Sequence, residues 1–130
     1  MVERRCAITI TVRLCMSVCN ARCSFCNFAV DRLSKHAQAS VSLEDAKEAL
    51  EILARNYVRY VFFIGGEPMV HRDLVAMIAH AKSLSMSPVV VTNGWFLDSD
   101  RIGQLAEAGL TSFSISIDAP SARTSGAALA

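Results

Sequence analysis

Residues 19–26 read Cys-Asn-Ala-Arg-Cys-Ser-Phe-Cys, which places three cysteines in a CxxxCxxC spacing directly after a strand-like segment. Three thiolates this close in sequence can converge on one metal centre, and soft thiolates select iron–sulfur clusters, zinc or copper(I). A cubane cluster has four irons, so three cysteine ligands leave one iron open. The spacing therefore favours a [4Fe-4S] cluster with Cys19, Cys23 and Cys26 as ligands, and an iron that can bind a substrate or cosubstrate directly.

The same cysteines leave other interpretations open. Structural zinc sites use cysteines at two- to four-residue spacing and normally take four ligands, so Cys15 is the candidate fourth zinc ligand. Cys15 lies where the first predicted strand ends, however, and we interpret Cys6 and Cys15 as small buried apolar residues. Incidental thiols are the remaining alternative. The odd count of 5 cysteines, clustered in sequence, indicates ligand spacing in a reducing compartment and not a disulfide framework.

Composition and charge limit the class of protein. With 130 residues, 52% of them hydrophobic and 19% charged, the chain is predicted to form one globular domain, 1–120, and a disordered tail, 121–130. The 13 basic and 12 acidic residues give a formal charge of +1, which indicates neither a nucleic acid nor an anionic membrane as partner. No apolar run approaches the roughly 18 residues of a membrane span, and we recognise no signal peptide. We therefore expect a cytoplasmic protein.

Strand patterns alternate with helix patterns along the chain. Short apolar or alternating runs predict strands at 6–14, 58–64, 89–92 and 111–118. Apolar residues at helical spacing predict helices at 43–56, 71–85 and 98–109, and 31–40 is predicted to be a loop. Ser42 and Asp98 are the candidate N-caps, and Gly109 is the candidate helix stop. This order predicts an α/β fold with a parallel sheet.

Two of the strands carry specific expectations about burial. The run 58–64 is too continuous for a half-exposed strand, so it is predicted to be a buried parallel strand. The fourth strand has an apolar face with Phe113, Ile115 and Ile117, and a polar face with Ser112, Ser114, Ser116 and Asp118. In a barrel with helices outside, the apolar face packs against the helices and the polar face borders a lumen that can hold a ligand.

The cysteine spacing, with the aromatic Phe25 directly before the last cysteine, resembles the signature of the radical S-adenosylmethionine (radical SAM) superfamily. The resemblance continues in three later segments: Gly65-Gly66-Glu67-Pro68, Thr92-Asn93-Gly94, and Ser114-Ile115-Ser116-Ile117-Asp118. These segments have the family's order and spacing, and the match extends over about residues 8–120. The chain is thus similar to the N-terminal part of the radical SAM core domain. The resemblance implies a partial (β/α)6 barrel that is truncated after its fourth strand.

The resemblance also implies a reaction. In this family the open iron of the cluster binds the amino and carboxylate groups of S-adenosylmethionine. One-electron reduction, by a donor such as flavodoxin or ferredoxin, drives its cleavage to a 5′-deoxyadenosyl radical, which abstracts hydrogen from a substrate. The substrate of this chain is unknown, because relatives act on peptides, nucleotides, lipids and cofactor precursors.

Roles for single residues follow from the resemblance in the same way. The turn of Gly65, Gly66, Glu67 and Pro68 is expected to bind the methionine amino group, with Glu67 as a hydrogen-bond acceptor. Phe25 is expected near the adenine. The ribose or carboxylate is expected to contact residues at or near strand ends, namely Thr92, Asn93, Ser114, Ser116 and Asp118. The plainer alternatives are core packing for Phe25, ordinary turns at 65–68 and 92–94, and a solvated strand face at 114–118.

The fifth and sixth strands of the implied barrel are missing from the sequence. We therefore expect the chain to be a fragment of a longer enzyme, or to be completed by a partner chain, because an apolar edge strand needs cover. The alternative functions are a non-catalytic or electron-transfer iron–sulfur module and, as a weaker alternative, a zinc-binding interaction domain.

Overall fold

A computed structural model of the chain describes residues 9–13, 18–21, 23, 26 and 41–117. Within them, four parallel strands form one sheet in the order β1-β2-β3-β4. The strands are β1 (Thr9–Arg13), β2 (Tyr60–Ile64), β3 (Ser87–Thr92) and β4 (Ser112–Ile115). Parallel neighbours that follow each other in sequence require a crossover between them, and helices occupy the crossovers after β2 and β3. The predicted α/β class is confirmed.

Helix α1 (Leu43–Arg55) begins where the sequence predicts it. Ser42 Oγ accepts a hydrogen bond from the Asp45 N–H at 3.0 Å, so one of the unpaired amides of the first turn has a partner. The helix buries Ala46 and Leu50 against the core. It ends at the cap residue Asn56, and Tyr57 follows in the left-handed region with φ 62°.

Helix α2 (Leu74–Ser83) begins three residues later than predicted, because a short 3-10 helix, Pro68–Val70, precedes it. His71 lies between the two in an extended conformation and is buried, with 6% exposure, although the sequence predicts it as the first residue of the helix. Its Nδ1 accepts the Asp73 N–H at 3.1 Å, which leaves Nε2 to donate to the Val41 carbonyl at 3.1 Å. These two bonds hold the approach to α1 against the start of α2.

Helix α3 (Ser99–Glu107) has both predicted end signals. Asp98 Oδ1 accepts the Arg101 N–H at 2.7 Å, and Gly109 follows the helix with φ 93°. A left-handed residue there is favourable only for glycine, which lets the chain turn into β4. The Leu110 N–H then bonds back to the Leu105 carbonyl at 3.0 Å.

The core lies between one face of the sheet and the helices. Val61, Phe63 and Val90 project from the sheet with 0% exposure. The helices supply Leu50, Leu74, Met77, Ile78, Ala81 and Leu105 to the same cluster. The other face of β2 is more open, because Phe62 and Ile64 are half-buried and Tyr60 is exposed. The prediction of a fully buried second strand is therefore correct for one face only.

Strand β4 is an edge of the described sheet, and its burial differs from the prediction. Of the three apolar residues predicted to pack against helices, Phe113 is half-buried against the core. Ile115 is 48% exposed and Ile117 is 78% exposed. The reason is their position, because no described element lies beyond the free edge of β4 to cover them.

Several predictions fall outside the described residues. These are Phe25 and Asp118 as cosubstrate contacts, Cys6 and Cys15, the loop at 31–40 and the tail at 121–130. In the part of the chain that the structure describes, no helix is both long and apolar enough to cross a membrane.

Candidate functional site

Three predicted motifs follow the carboxyl ends of neighbouring strands. The cysteine loop follows β1, the turn at 65–67 follows β2, and Asn93 follows β3. Because the strands are parallel and paired in register, these ends lie along one edge of the sheet. This is the edge at which α/β folds bind ligands.

The cysteine loop presents three half-buried thiols, those of Cys19, Cys23 and Cys26. The Ala21 N–H donates to Cys19 Sγ at 3.4 Å, and the Cys26 N–H donates to the Cys23 carbonyl at 3.1 Å. No group of three or more His, Cys, Asp or Glu side chains among the described residues is arranged around a single metal ion. A cubane binds each thiolate through a different iron, so the donor set of the loop suits the cluster.

Glu67 is the centre of a buried hydrogen-bond network that joins the strand ends. Its side chain is 1% exposed. Its Oε1 accepts the Met69 N–H at 2.9 Å and the Thr92 hydroxyl at 2.6 Å, and its Oε2 accepts the Asn93 N–H at 2.8 Å. A carboxylate has about four acceptor positions, so three protein donors use most of them. The carboxylate therefore bridges the end of β2 to the end of β3, while its binding to a cosubstrate ammonium stays a prediction.

The backbone of Glu67 connects this network to the cysteine loop. Its N–H donates to the carbonyl of Val18 at 3.1 Å, directly before Cys19. Gly65 and Gly66, which precede it, are half-buried, and Pro68 behind it is buried. Without side chains, the two glycines leave the backbone of the turn accessible to close approach by a ligand. The turn is thus fixed by its glutamate and approachable at its glycines.

Asn93 makes the second connection to the cysteine loop. Its backbone donates to Glu67, its Oδ1 accepts the Trp95 N–H at 3.0 Å, and its Nδ2 donates to Asn20 Oδ1 at 2.8 Å. Thr92 supports the same turn, because its Oγ1 accepts the Gly94 N–H at 3.1 Å. Gly94 has φ 79°, a left-handed conformation that favours glycine. The motif at 92–94 is therefore both a turn and the anchor of the loop that carries the cysteines.

The predicted residues on β4 take no part in this network. Ser114 and Ser116 are exposed, and the structure gives neither side chain a hydrogen bond within the described residues. The Ser116 N–H donates to the Thr92 carbonyl at 2.9 Å, which extends the pairing of β3 and β4. Their predicted contact with the ribose or carboxylate stays a prediction, as do the roles of Phe25 and Asp118.

The sequence did not identify Asn20 or Val18 as parts of the site. Asn20 lies directly after Cys19, and its position between two predicted ligands was the available signal. Its partner Asn93 is 73 residues away in sequence, so the contact could not be read from spacing. Val18 contributes only a carbonyl, which carries no sequence signal at all.

A cleft of about 560 Å³ lies elsewhere, between the approach to α1 and the start of α2. Val18, Val41, His71 and Asp73 are among its lining residues, and none of the predicted ligand or cosubstrate residues is. The cleft therefore borders the cysteine loop through Val18 but is separate from the candidate site.

Comparison with known proteins identifies the family. A family model described as the radical SAM superfamily matches residues 14–127. The PqqA peptide cyclase of Rhodopseudomonas palustris is 33% identical over 98 residues, which cover 75% of this chain and 26% of that protein. The GTP 3',8-cyclase of Synechococcus elongatus is 34% identical over 103 residues, which cover 78% of this chain and 31% of that protein. The chain thus spans about a quarter to a third of the length of these curated relatives, which are enzymes.

A solved structure supports the fold. BtrN in complex with AdoMet and 2-DOIA matches 95% of this chain and 52% of its own with a TM-score of 0.72, at 22% identity. The predicted fold, α/β with the strands of a partial barrel, is confirmed by this likeness and by the parallel sheet. Because the family model covers most of the sequence, the chain belongs to the radical SAM superfamily.

Proposed function

We propose that this chain binds a [4Fe-4S] cluster and S-adenosylmethionine as the core of a radical SAM enzyme. The observation that carries the proposal is the network from Val18 through Glu67 and Asn93 to Asn20, because it fixes the cysteine loop against the glycine turn. The two segments that the proposal assigns to cluster and cosubstrate are thereby held next to each other. BtrN, which shares the fold, was crystallised with AdoMet, and this supports the choice of cosubstrate.

In this proposal each segment has a defined task. Cys19, Cys23 and Cys26 ligate the cluster, whose chemistry when bound is the one-electron reductive cleavage of S-adenosylmethionine to a 5′-deoxyadenosyl radical. Gly65 and Gly66 admit the methionine end of the cosubstrate to the turn, and Glu67 keeps the turn rigid. Thr92 and Asn93 hold the end of β3 in place beside it. Ser114 and Ser116 contact the ribose or carboxylate on the open face.

The environment of the enzyme is also a proposal. Thiolate ligands need a reducing compartment, so we propose a cytoplasmic location and a one-electron donor such as flavodoxin or ferredoxin. Ile115, on the edge strand, and Ile117, just after it, are exposed, which supports cover by further strands of a longer enzyme or by a partner chain.

The test is anaerobic reconstitution of the chain, followed by iron and sulfide analysis and an assay for 5′-deoxyadenosine with dithionite as reductant. We expect iron and sulfide in the ratio of a cubane, and 5′-deoxyadenosine that depends on Cys19, Cys23 and Cys26. A cluster with no 5′-deoxyadenosine and no S-adenosylmethionine binding would instead indicate an electron-transfer module. Stoichiometric zinc without sulfide would indicate the zinc-binding alternative.

A further inference from the structure

The amide of Asn20 has one hydrogen-bonding group that no described residue uses. Its Oδ1 accepts from Asn93 Nδ2 at 2.8 Å. Its Nδ2 is buried and has no hydrogen-bond partner within the described residues. A buried N–H without a partner loses its hydrogen bonds to water and gains none in exchange, so such a group in a site calls for an acceptor beyond the described residues.

The orientation of this amide is fixed by its neighbours. The Trp95 N–H identifies Oδ1 of Asn93 as the acceptor, and so Nδ2 of Asn93 must be the donor towards Asn20. The atom of Asn20 that receives this bond must then be the oxygen. Turning the Asn20 amide over would place two N–H groups face to face. The unused group is therefore an N–H donor, and the missing partner is an acceptor.

A cysteine sulfur lies close to this amide. Asn20 lies between the proposed ligands Cys19 and Cys23, and the Cys19 thiol donates a long hydrogen bond of 3.9 Å to Asn20 Oδ1, so this sulfur lies beside the amide. The Ala21 N–H already points at the same sulfur. Cluster sulfides and cysteine thiolates both accept hydrogen bonds, and such bonds raise the reduction potential because they favour the more negative reduced cluster.

We propose that Asn20 is a positioning residue for the iron–sulfur cluster, with Oδ1 anchoring the cysteine loop to Asn93 and Nδ2 donating a hydrogen bond to a sulfur of the cluster. The inference rests on the proposed function, because it requires a cluster in this loop. It assigns to one side chain both the placement of the loop and part of the cluster's reduction potential.

Two substitutions separate the anchor from the donor. Asn20→Asp keeps an oxygen for Asn93 and removes the N–H donor, whereas Asn20→Leu removes both without adding charge. Asn56→Asp and Asn56→Leu are the matched controls, because Asn56 is an exposed asparagine whose Nδ2 donates to the Ile52 carbonyl at the end of α1. Each chain is reconstituted anaerobically, analysed for iron and sulfide, and titrated for its cluster potential by EPR without S-adenosylmethionine.

We expect Asn20→Asp to hold a full cluster at a potential clearly more negative than that of the unsubstituted chain. Asn20→Leu should also shift to a more negative potential and should hold less cluster, because the loop loses its anchor. Both Asn56 variants should match the unsubstituted chain. A folded Asn20→Asp that cannot hold a cluster would contradict the separation of the two roles and overturn the proposal.

A full cluster with an unchanged potential in Asn20→Asp would also overturn it. If that variant instead bound S-adenosylmethionine more weakly, the acceptor of Nδ2 would be the cosubstrate carboxylate and not sulfur. Failure of the proposed function has a different result. If that function is wrong, the unsubstituted chain itself takes up neither iron nor sulfide.

Discussion

At the carboxyl end of β2 the Glu67 carboxylate is 1% exposed and accepts three hydrogen bonds, whereas beyond the carboxyl end of β4 Ile117 is 78% exposed. Both ends belong to the same sheet, and both carry residues that the sequence assigned to the cosubstrate. The difference follows from position, because within the described sheet β2 has a strand on each side and β4 has one. A polar residue between two strands can be saturated by the protein, while an edge residue depends on what lies beyond it.

The largest effect of any substitution is expected at the cysteine loop, on the iron and sulfide content of the reconstituted chain. Cys23→Ala should abolish cluster incorporation, because the second of three proposed ligands is lost. Cys15→Ala should retain full iron and sulfide, and serves as the control. Metal and sulfide analysis after anaerobic reconstitution measures both. Full incorporation in Cys23→Ala, or loss confined to Cys15→Ala, would show that the ligands are assigned incorrectly.

Glu67→Gln is expected to have the next largest effect, which is a loss of stability. The amide nitrogen would replace Oε2 and face the Asn93 N–H, so one buried donor would lose its acceptor. We expect the free energy of unfolding to fall by about 2–3 kcal/mol, as for hydrogen bonds to charged groups. Chemical denaturation measures this, with Glu48→Gln on the exposed face of α1 as the control. Weaker S-adenosylmethionine binding without any loss of stability would favour the ammonium contact instead.

Thr92→Val tests how much a single hydroxyl of the Glu67 network contributes to stability. The substitution keeps the size of the side chain but removes a hydroxyl that donates to Glu67 and accepts from Gly94. We expect a loss of about 1–2 kcal/mol in the free energy of unfolding. Thr111→Val, at an exposed position before β4, should change it by less than about 0.5 kcal/mol. Equal effects at the two positions would mean that the hydroxyl of Thr92 contributes nothing to the bridge.

The smallest effect on stability is expected for a substitution just after β4, at Ile117. There we expect self-association to decrease while the free energy of unfolding hardly changes. We expect the isolated chain to aggregate or form oligomers and to cleave S-adenosylmethionine poorly, because no described element covers the free edge of β4. Ile117→Ser should reduce association in sedimentation experiments while changing the free energy of unfolding by about 0.5 kcal/mol or less. Ile52→Ser, in a residue 46% exposed on α1, is the control and should leave association unchanged. A monomeric, fully active chain would show that four strands suffice.

Local signals in the sequence predicted most of the fold. Ser42, Asp98 and Gly109 mark helix ends through bonds or backbone angles that involve only nearby residues, and all three are found as predicted. The start of α2 was predicted three residues too early, because His71 takes its partner from Val41, which lies 30 residues before it. Local patterns do not encode such a bond.

The sequence by itself determined the α/β order and the family, and it supplied the CxxxCxxC spacing on which the proposed cluster rests, because each depends on residue type and short spacing. Only the tertiary structure decided what Glu67 and Asn20 contact and which apolar residues of β4 are covered. Those contacts join the ends of different strands across 25 and 73 residues of sequence. A side chain predicted to meet a ligand can also be bound by its own fold, as Glu67 is, and only the assembled sheet shows which donors and acceptors are left for the ligand.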